Sequence, residues 1–283
     1  MKRNILVVSI VLALLLTTAC SLNVGGDRLN FSGNVSYDKG TTLTEEQNIA
    51  RNAAELEKLE ISDTAGNITV KSVTSGDISI KAIKKVKGTN DEVKKEVMSN
   101  IDIIVEGSGN SLSVYPTTKD GKKDDLWKWV EQLYKGTQVT VDLELEVPEN
   151  IKVYAVNSNA GNINFSEVFG EIAIKSNAGN VDLTGVSLTG SSDIEINAGN
   201  INLDADISKA SKLAVVNTAG NVTLKLPANS GFDLTAKLTA GNVNGSFLSG
   251  THINSGTIRQ KINGGGTEVN VTTVAGNVTI DSK

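Results

Sequence analysis

The chain has 283 residues, a net charge of −5, 39% hydrophobic but only 4% aromatic residues, 27 glycines and a single cysteine. An acidic chain without a basic cluster argues against nucleic acid as a partner and against electrostatic capture by anionic lipid. One Cys and one His leave no cluster for a thiolate or imidazole metal site and no disulfide, while many glycines with few aromatics point to short strands and tight turns.

Met1-Lys2-Arg3 forms a basic start, and Ile5 to Leu16 is an apolar run broken only by Ser9. It is too short for a membrane span and has the length of a secretory signal core. Small residues then lead to Cys20, an arrangement that resembles the lipobox of bacterial lipoproteins, although Thr17 stands where a Leu is usual. The expected consequence is cleavage after residue 19 and acylation of Cys20, palmitate included, which ties the protein to the membrane by its lipid chains. The alternative is an ordinary secretory signal that leaves a free thiol. Loss of Lys2 and Arg3 takes the net charge from −5 to −7.

Residues 20–43 are polar, rich in glycine and without period. They read as a tether, or alternatively as an edge strand added to the first repeat. Residues 44–283 read as a single domain. Thr44 with Gln47 three on has capping-box spacing and opens a possible helical turn bearing Ile49, Ala53 and Leu56. Two helical insertions are expected near the N-terminal half, at about 89–101 and 124–135. The second ends at Gly136 and gathers Leu126, Trp127, Trp129, Val130, Leu133 and Tyr134 within an arc of roughly 160°. That face needs a cover. It either caps the fold or serves as a partner surface, with Trp127, Trp129 and Tyr134 as the candidate contacts. Val139 to Val147 alternates as a strand that Pro148 ends.

The tetrapeptides N-A-G-N at 159–162, 177–180 and 197–200 and T-A-G-N at 218–221 recur with glycine spacings of 18, 20 and 21. Further copies lie at Gly66, Gly241 and Gly276. Apolar residues follow each glycine at +2 and +4, except after Gly241, where Val243 is followed by Gly245. A second apolar pair stands at −7 and −5, as in Leu59 and Ile61 or Tyr154 and Val156. Before Gly199 the pair is Ile194 and Ile196, which reads as a turn two residues shorter. Each unit is thus two short strands with alternating inward side chains, joined at one corner. Such a unit cannot bury its own face and must stack on the next.

The fold class expected is therefore all-β, a parallel β-solenoid with coils of ~18–21 residues. A sharp corner needs a positive φ, which glycine adopts without a Cβ clash. Asn67, Asn162, Asn180, Asn200, Asn221, Asn242 and Asn277 then stand one above another and form an amide ladder wherever coils are adjacent.

The strand ending at Pro148, followed by S-N-A-G-N-I-N and T-A-G-N-V-T units, resembles the DUF4097 family of β-strand-repeat proteins, provisionally classed as adhesins. The match covers about residues 56–283. The resemblance implies a surface-exposed, non-enzymatic protein and supplies no catalytic residues.

The residues themselves offer little chemistry. His252, beside Thr251, reads as a solvated turn residue. No cofactor or metal site is expected. Asp204 with Asp206, and Asp182 with Glu195 on neighbouring coils, are the carboxylates that a polysaccharide-acting enzyme would use. Against that stands a lipid-anchored module of the bacterial cell envelope, exported and non-catalytic, whose polar faces contact cell-wall glycan or another envelope protein.

Overall fold

The computed structural model describes residues 20–24, 27–37, 42–119, 126–248 and 253–283. The signal segment and His252 lie outside them. Among the described residues the architecture is all-β with two short helices, and the strands join in one 19-stranded sheet.

The chain opens with three antiparallel strands, β1 (Cys20–Val24), β2 (Asp27–Tyr37) and β3 (Thr42–Arg51). Residues 20–43, read as a tether, thus carry two strands, and β2 is added to β3 as in the edge-strand alternative. The helical turn expected from Thr44 is a correction, because that segment lies inside β3. A local capping signal lost to cross-strand pairing, since β3 runs antiparallel to β6 (Ile78–Lys87) with Glu45 directly opposite Lys84. The buried Lys84 ammonium meets Glu45 at 2.5 Å, a pair with no counterpart in a surface helix.

Between these lie β4 (Lys58–Ala65) and β5 (Ile68–Val73), the arms of the first corner. Then come α1 (Asp91–Asn100), whose Asn90 cap accepts from the Glu92 and Val93 amides, and the hairpin β7 (Ile101–Ser108) and β8 (Ser111–Thr118). Helix α2 (Leu126–Leu133) and strand β9 (Gln138–Pro148) follow. Both helices form close to where the apolar spacing places them, and α2 packs against β8 and β9.

The repeats supply β10 (Val153–Ala160), β11 (Ile163–Ser166), β12 (Phe169–Ala178), β13 (Val181–Ala198) and β14 (Ile201–Ala219). They continue through β15 (Val222–Leu226), β16 (Phe232–Asn244), β17 (Ile253–Ile262), β18 (Thr267–Ala275) and β19 (Val278–Ser282). Strands before the corners pair in parallel in the order β8, β4, β10, β12, β13, β14, β18, β16. Those after the corners pair in parallel as β9, β5, β11, β13, β14, β15, β19, β16. The corner alanines keep register from layer to layer, Ala65 with Ala160, then Ala178, Ala198, Ala219, Ala275 and Ala240. Because β14 and β16 run through bends and pair on both sides, the ladders of β14, β18, β16, β19 and β15 close into a ring of five strands.

The layers do not follow chain order. The last unit, around Gly276, sits between those of Gly220 and Gly241, with Gly220 N–H donating to Ala275 O and Gly276 N–H to Ala240 O. The Gly241 unit is outermost and carries the antiparallel strand β17, which ends the parallel stack. Its departure from the +4 apolar rule, at Gly245, belongs to that terminal position.

The unit before Gly199 is also corrected. Its strand keeps full length, with Ile194 beside Ile174 and Ser192 beside Leu213. Ser192 fills the −7 position fully buried, its hydroxyl accepting from the Ile172 amide at 3.1 Å. The hydrogen bond takes the place of an apolar contact. Elsewhere the inward pairs make the core, and Tyr154 and Phe165, both about 1% exposed, meet edge to face at 5.7 Å.

Candidate functional site

The repeated corners hold the layers together. Their seven glycines have φ between 124° and 152°, and a Cβ on any of them would lie 1.8–2.0 Å from a carbonyl oxygen of the neighbouring layer. Glycine is thus required twice over, by torsion and by close approach. The asparagines form one chain of hydrogen bonds. Each backbone N–H donates to the Oδ1 of the layer before it, from Asn162 to Asn67, then Asn180 to Asn162, Asn200 to Asn180, Asn221 to Asn200 and Asn277 to Asn221, all at 3.0 Å. Asn242 to Asn277 closes the run at 3.1 Å, and Asp142 starts it by accepting from Asn67 N–H at 2.8 Å. A shorter amide row beside it, Asn197 to Asn177 to Asn159, went unread because it lies two residues before the glycine, where the other units carry Thr or Val.

Asn180→Ala leaves the Asn200 amide without its acceptor. It should cost about 1–2 kcal/mol, while Lys175→Ala on the exposed face costs close to nothing. Equal shifts in urea midpoint would remove the ladder from the account of stability.

Helix α2 turns its wide face inward. Leu126, Trp129 and Val130 are buried, so Trp129, at 6% exposed, is no surface contact. Trp127 is half-buried, with Nε1 donating to Val139 O at 2.9 Å, and Tyr134 packs edge-on to Trp129 while its hydroxyl donates to Glu96 at 2.7 Å. Of that face Leu133 stays outside, 63% exposed. Trp127 therefore fastens the insertion to β9, and Tyr134 fastens it to α1.

A cleft of about 670 Å³ opens beside that helix, between the ends of β4 and β10 on one side and the β7–β8 hairpin and α2 on the other. It exists because β8 pairs with β4 only from Lys58 to Ile61 and then diverges. Asp63 and Ser158, register partners on adjacent layers, lie at its floor. Asp63 is 7% exposed, its carboxylate oxygens are closed to solvent and have only the Ala65 and Thr64 amides beside them, and the Ser158 hydroxyl is likewise buried and unpaired. Burial pushes the Asp63 carboxyl up to about 7, opposed by the nearby Ala65 and Thr64 amides and reinforced by the charge of Asp142. Across the cleft Tyr115 donates its hydroxyl to Glu106 at 2.9 Å.

Three of the four carboxylates singled out for enzyme chemistry are engaged in local bonds, and the fourth, Glu195, lies on the exposed face of β13. Asp182 accepts from Asn202 at 2.7 Å, and Asp204 pairs with Lys283. Asp206 accepts from the Ser208 amide, which holds its carboxyl below the usual range. Among the described residues no three His, Cys, Asp or Glu side chains come together to hold a metal ion, and no helix is long and apolar enough to cross a membrane.

These features define an all-β repeat protein whose parallel layers are stapled by glycine–asparagine corners. The Toastrack DUF4097 family model matches residues 29–281, and the chain belongs to that family. No curated protein matches the sequence. Among solved structures, a protein of Clostridium sporogenes provisionally described as a cell adhesion protein is 17% identical, with a TM-score of 0.47 over 84% of this chain and 99% of its own. A provisional adhesin of Bacteroides fragilis is 13% identical, with a TM-score of 0.30 over 87% of this chain and 98% of its own. A Parabacteroides distasonis protein provisionally described as lipid binding is 9% identical, with a TM-score of 0.26 over 87% and 98%.

Proposed function

We propose that this chain is a β-solenoid mounted on the bacterial cell envelope through an acylated Cys20, acting as a non-catalytic binding or adhesion module for wall glycan or another envelope protein. The observation that carries the reading is the division of labour in the fold. The repeated Gly and Asn residues are consumed in holding layers together, and Asp182, Asp204 and Asp206 on the outer faces are consumed in local bonds. The cleft beside the α2 insertion is lined instead by Tyr115, Trp127, Asn157 and Asn159. A stiff stack with a polar exterior is a mount, and the insertion gives it one concave, chemically distinct place. Export and anchoring rest on the N-terminal sequence, where an apolar run leads directly to the lone Cys.

Cys20→Ala should move the protein from the membrane pellet to the soluble fraction of lysed cells and abolish incorporation of labelled palmitate. A variant that stays in the pellet and keeps the label would overturn the anchor. For the binding role, the test is retention of the full chain by purified envelope polymers, with hydrolysis products assayed in parallel. Retention without turnover supports the module. Turnover that Asp204→Asn or Asp206→Asn abolishes would establish an enzyme instead.

A further inference from the structure

The strand pair β18–β19 occupies a place between two layers that the chain has already passed. β18 pairs in parallel with β14 on one side and β16 on the other, and β19 with β15 and β16. The bonds to both neighbours are those the other corners make, Gly220 N–H to Ala275 O, Gly276 N–H to Ala240 O, Asn277 N–H to Asn221 and Asn242 N–H to Asn277. A further bond belongs to this layer. The buried Thr267 hydroxyl lies 2.9 Å from Ile207 O and 2.8 Å from Ala210 O and donates there. The place therefore recognises this unit, but none of these bonds depends on which copy of the chain supplies it.

What ties the pair to its own copy is the short hinge 263–266. Ile262 and Thr267 are both register partners of Phe232, one on each side of β16. The hinge must therefore pass round the start of that strand and cover two strand spacings, about 10 Å. It does so with Asn263, Gly264, Gly265 and Gly266 at φ 47°, 86°, 83° and 149°, four successive residues at positive φ. The turn crosses Gly231 backbone against backbone, since a Cβ there would lie 2.6 Å from Gly265 O. On another side it borders a cavity of about 560 Å³ with Asp206, Ser208, Asn229 and Ser230 in its lining. The bonds that keep the hinge closed are few. Gly265 N–H donates to Ile262 O at 2.9 Å and Gly266 N–H to Asp233 at 3.2 Å, while Asn263 Nδ2 donates to Ala228 O and Ser230 O at 3.0 and 2.9 Å.

We propose that β18–β19 is exchanged between two copies of this chain, each copy seating its pair between β14–β15 and β16 of the other while the hinge runs out straight. Exchange remakes every bond between layers and gives up only those inside the hinge. It also relieves the close approach at Gly231. A hinge this short and this tightly turned favours the exchanged form, because its strain is released only when it extends. Two stacks so joined present two binding modules to one polymer, which raises avidity without any new contact. The exchange itself rests on the strand order and the hinge, and not on the anchor or the ligand proposed above.

Val216 on β14 and Thr272 on β18 are register partners, so a thiol at each reports whose β18 lies beside whose β14. The test co-expresses two full-length chains with different tags, one carrying Val216→Cys and the other Thr272→Cys, and treats them with a short bis-maleimide. A cross-linked product bearing both tags is expected. Pairs in which both copies carry Val216→Cys, or both Thr272→Cys, should give far less, and they also reveal any link made through Cys20. Deleting Gly264 and Gly265 leaves three residue steps from Ile262 to Thr267, about 10 Å at full stretch and too short to go round Gly231. The mixed product should then rise at least ~5-fold, and inserting three residues after Gly264 should lower it by a similar factor. No product with both tags, a product equally abundant in the same-position pairs, or one confined to the shortened hinge each overturns the proposal. If the shortened chain does not fold, the lengthened hinge decides, and a yield it leaves unchanged overturns the proposal as well.

Discussion

Gly199→Ala should destabilise the protein by on the order of 4 kcal/mol, seen as a large drop in urea midpoint, despite adding one methyl group at the surface. Two costs combine. At φ 139° an L side chain is strained, and the new Cβ would stand 1.9 Å from the Gly179 oxygen and 2.7 Å from its carbonyl carbon. Both atoms are backbone, held by the corner bond from Gly179 N–H to Ala198 O at 3.0 Å, so neither can swing away. Gly76→Ala separates the two costs. Its φ is 121°, but an added Cβ would meet nothing within 4 Å, so only the torsional cost applies, about 1–2 kcal/mol. Equal losses at the two sites would mean that close approach between layers does not govern the corner.

Asp63 should make the fold less stable as the pH rises from about 4 to about 7. The folded-state value is raised from 3.8 to about 7, so within that window the native state holds a proton that the unfolded chain has released. Stability linked to this group is complete below about pH 4 and is lost as the pH climbs through 7, at about 1.4 kcal/mol per pH unit and on the order of 4 kcal/mol in all. Asp63→Asn removes the titration. The variant should match the wild type near pH 4 and exceed it at pH 8, measured as the difference in unfolding free energy at each pH. Groups held low by their partners, such as Glu60 beside Lys58 and Asp206 beside the Ser208 amide, act in the opposite sense, and only at lower pH. A difference between variant and wild type that does not change with pH would contradict the burial of an ionisable Asp63.

The corners were legible because their requirements are local. Positive φ at glycine and an amide beside it recur in the sequence wherever the backbone bends, and the alternation around them fixes which side chains point inward. The same alternation, extended one step beyond Leu59 and Ile61, puts Asp63 inside, so its burial could have been read from phase alone. The tryptophan helix was visible as an apolar arc, but what covers it was not, since β8 and β9 come from flanking segments. The cleft was hidden for the same reason, being assembled from three separate stretches. Thr44 to Gln47 misled because a capping pattern is four residues long, whereas β3 is held by β6, whose Lys84 lies 39 residues from Glu45. Ser192 misled because a serine in an apolar column looks like a gap until its hydroxyl finds the Ile172 amide.

Layer order was illegible because the corners repeat the same residues and make the same bond, and the placement of the last unit has a consequence for assembly. Layers up to Gly220 can be laid down as the chain emerges, but the next place is filled from 56 residues further on, where Asn277 donates to Asn221. Until residues 267–283 arrive, β14 and β15 present an open parallel edge to the surroundings, and the β16–β17 hairpin must wait outside the space it will later close. The final strands act as a keystone. The interval before they slot in is the stage at which the growing stack is most exposed to pairing with another molecule.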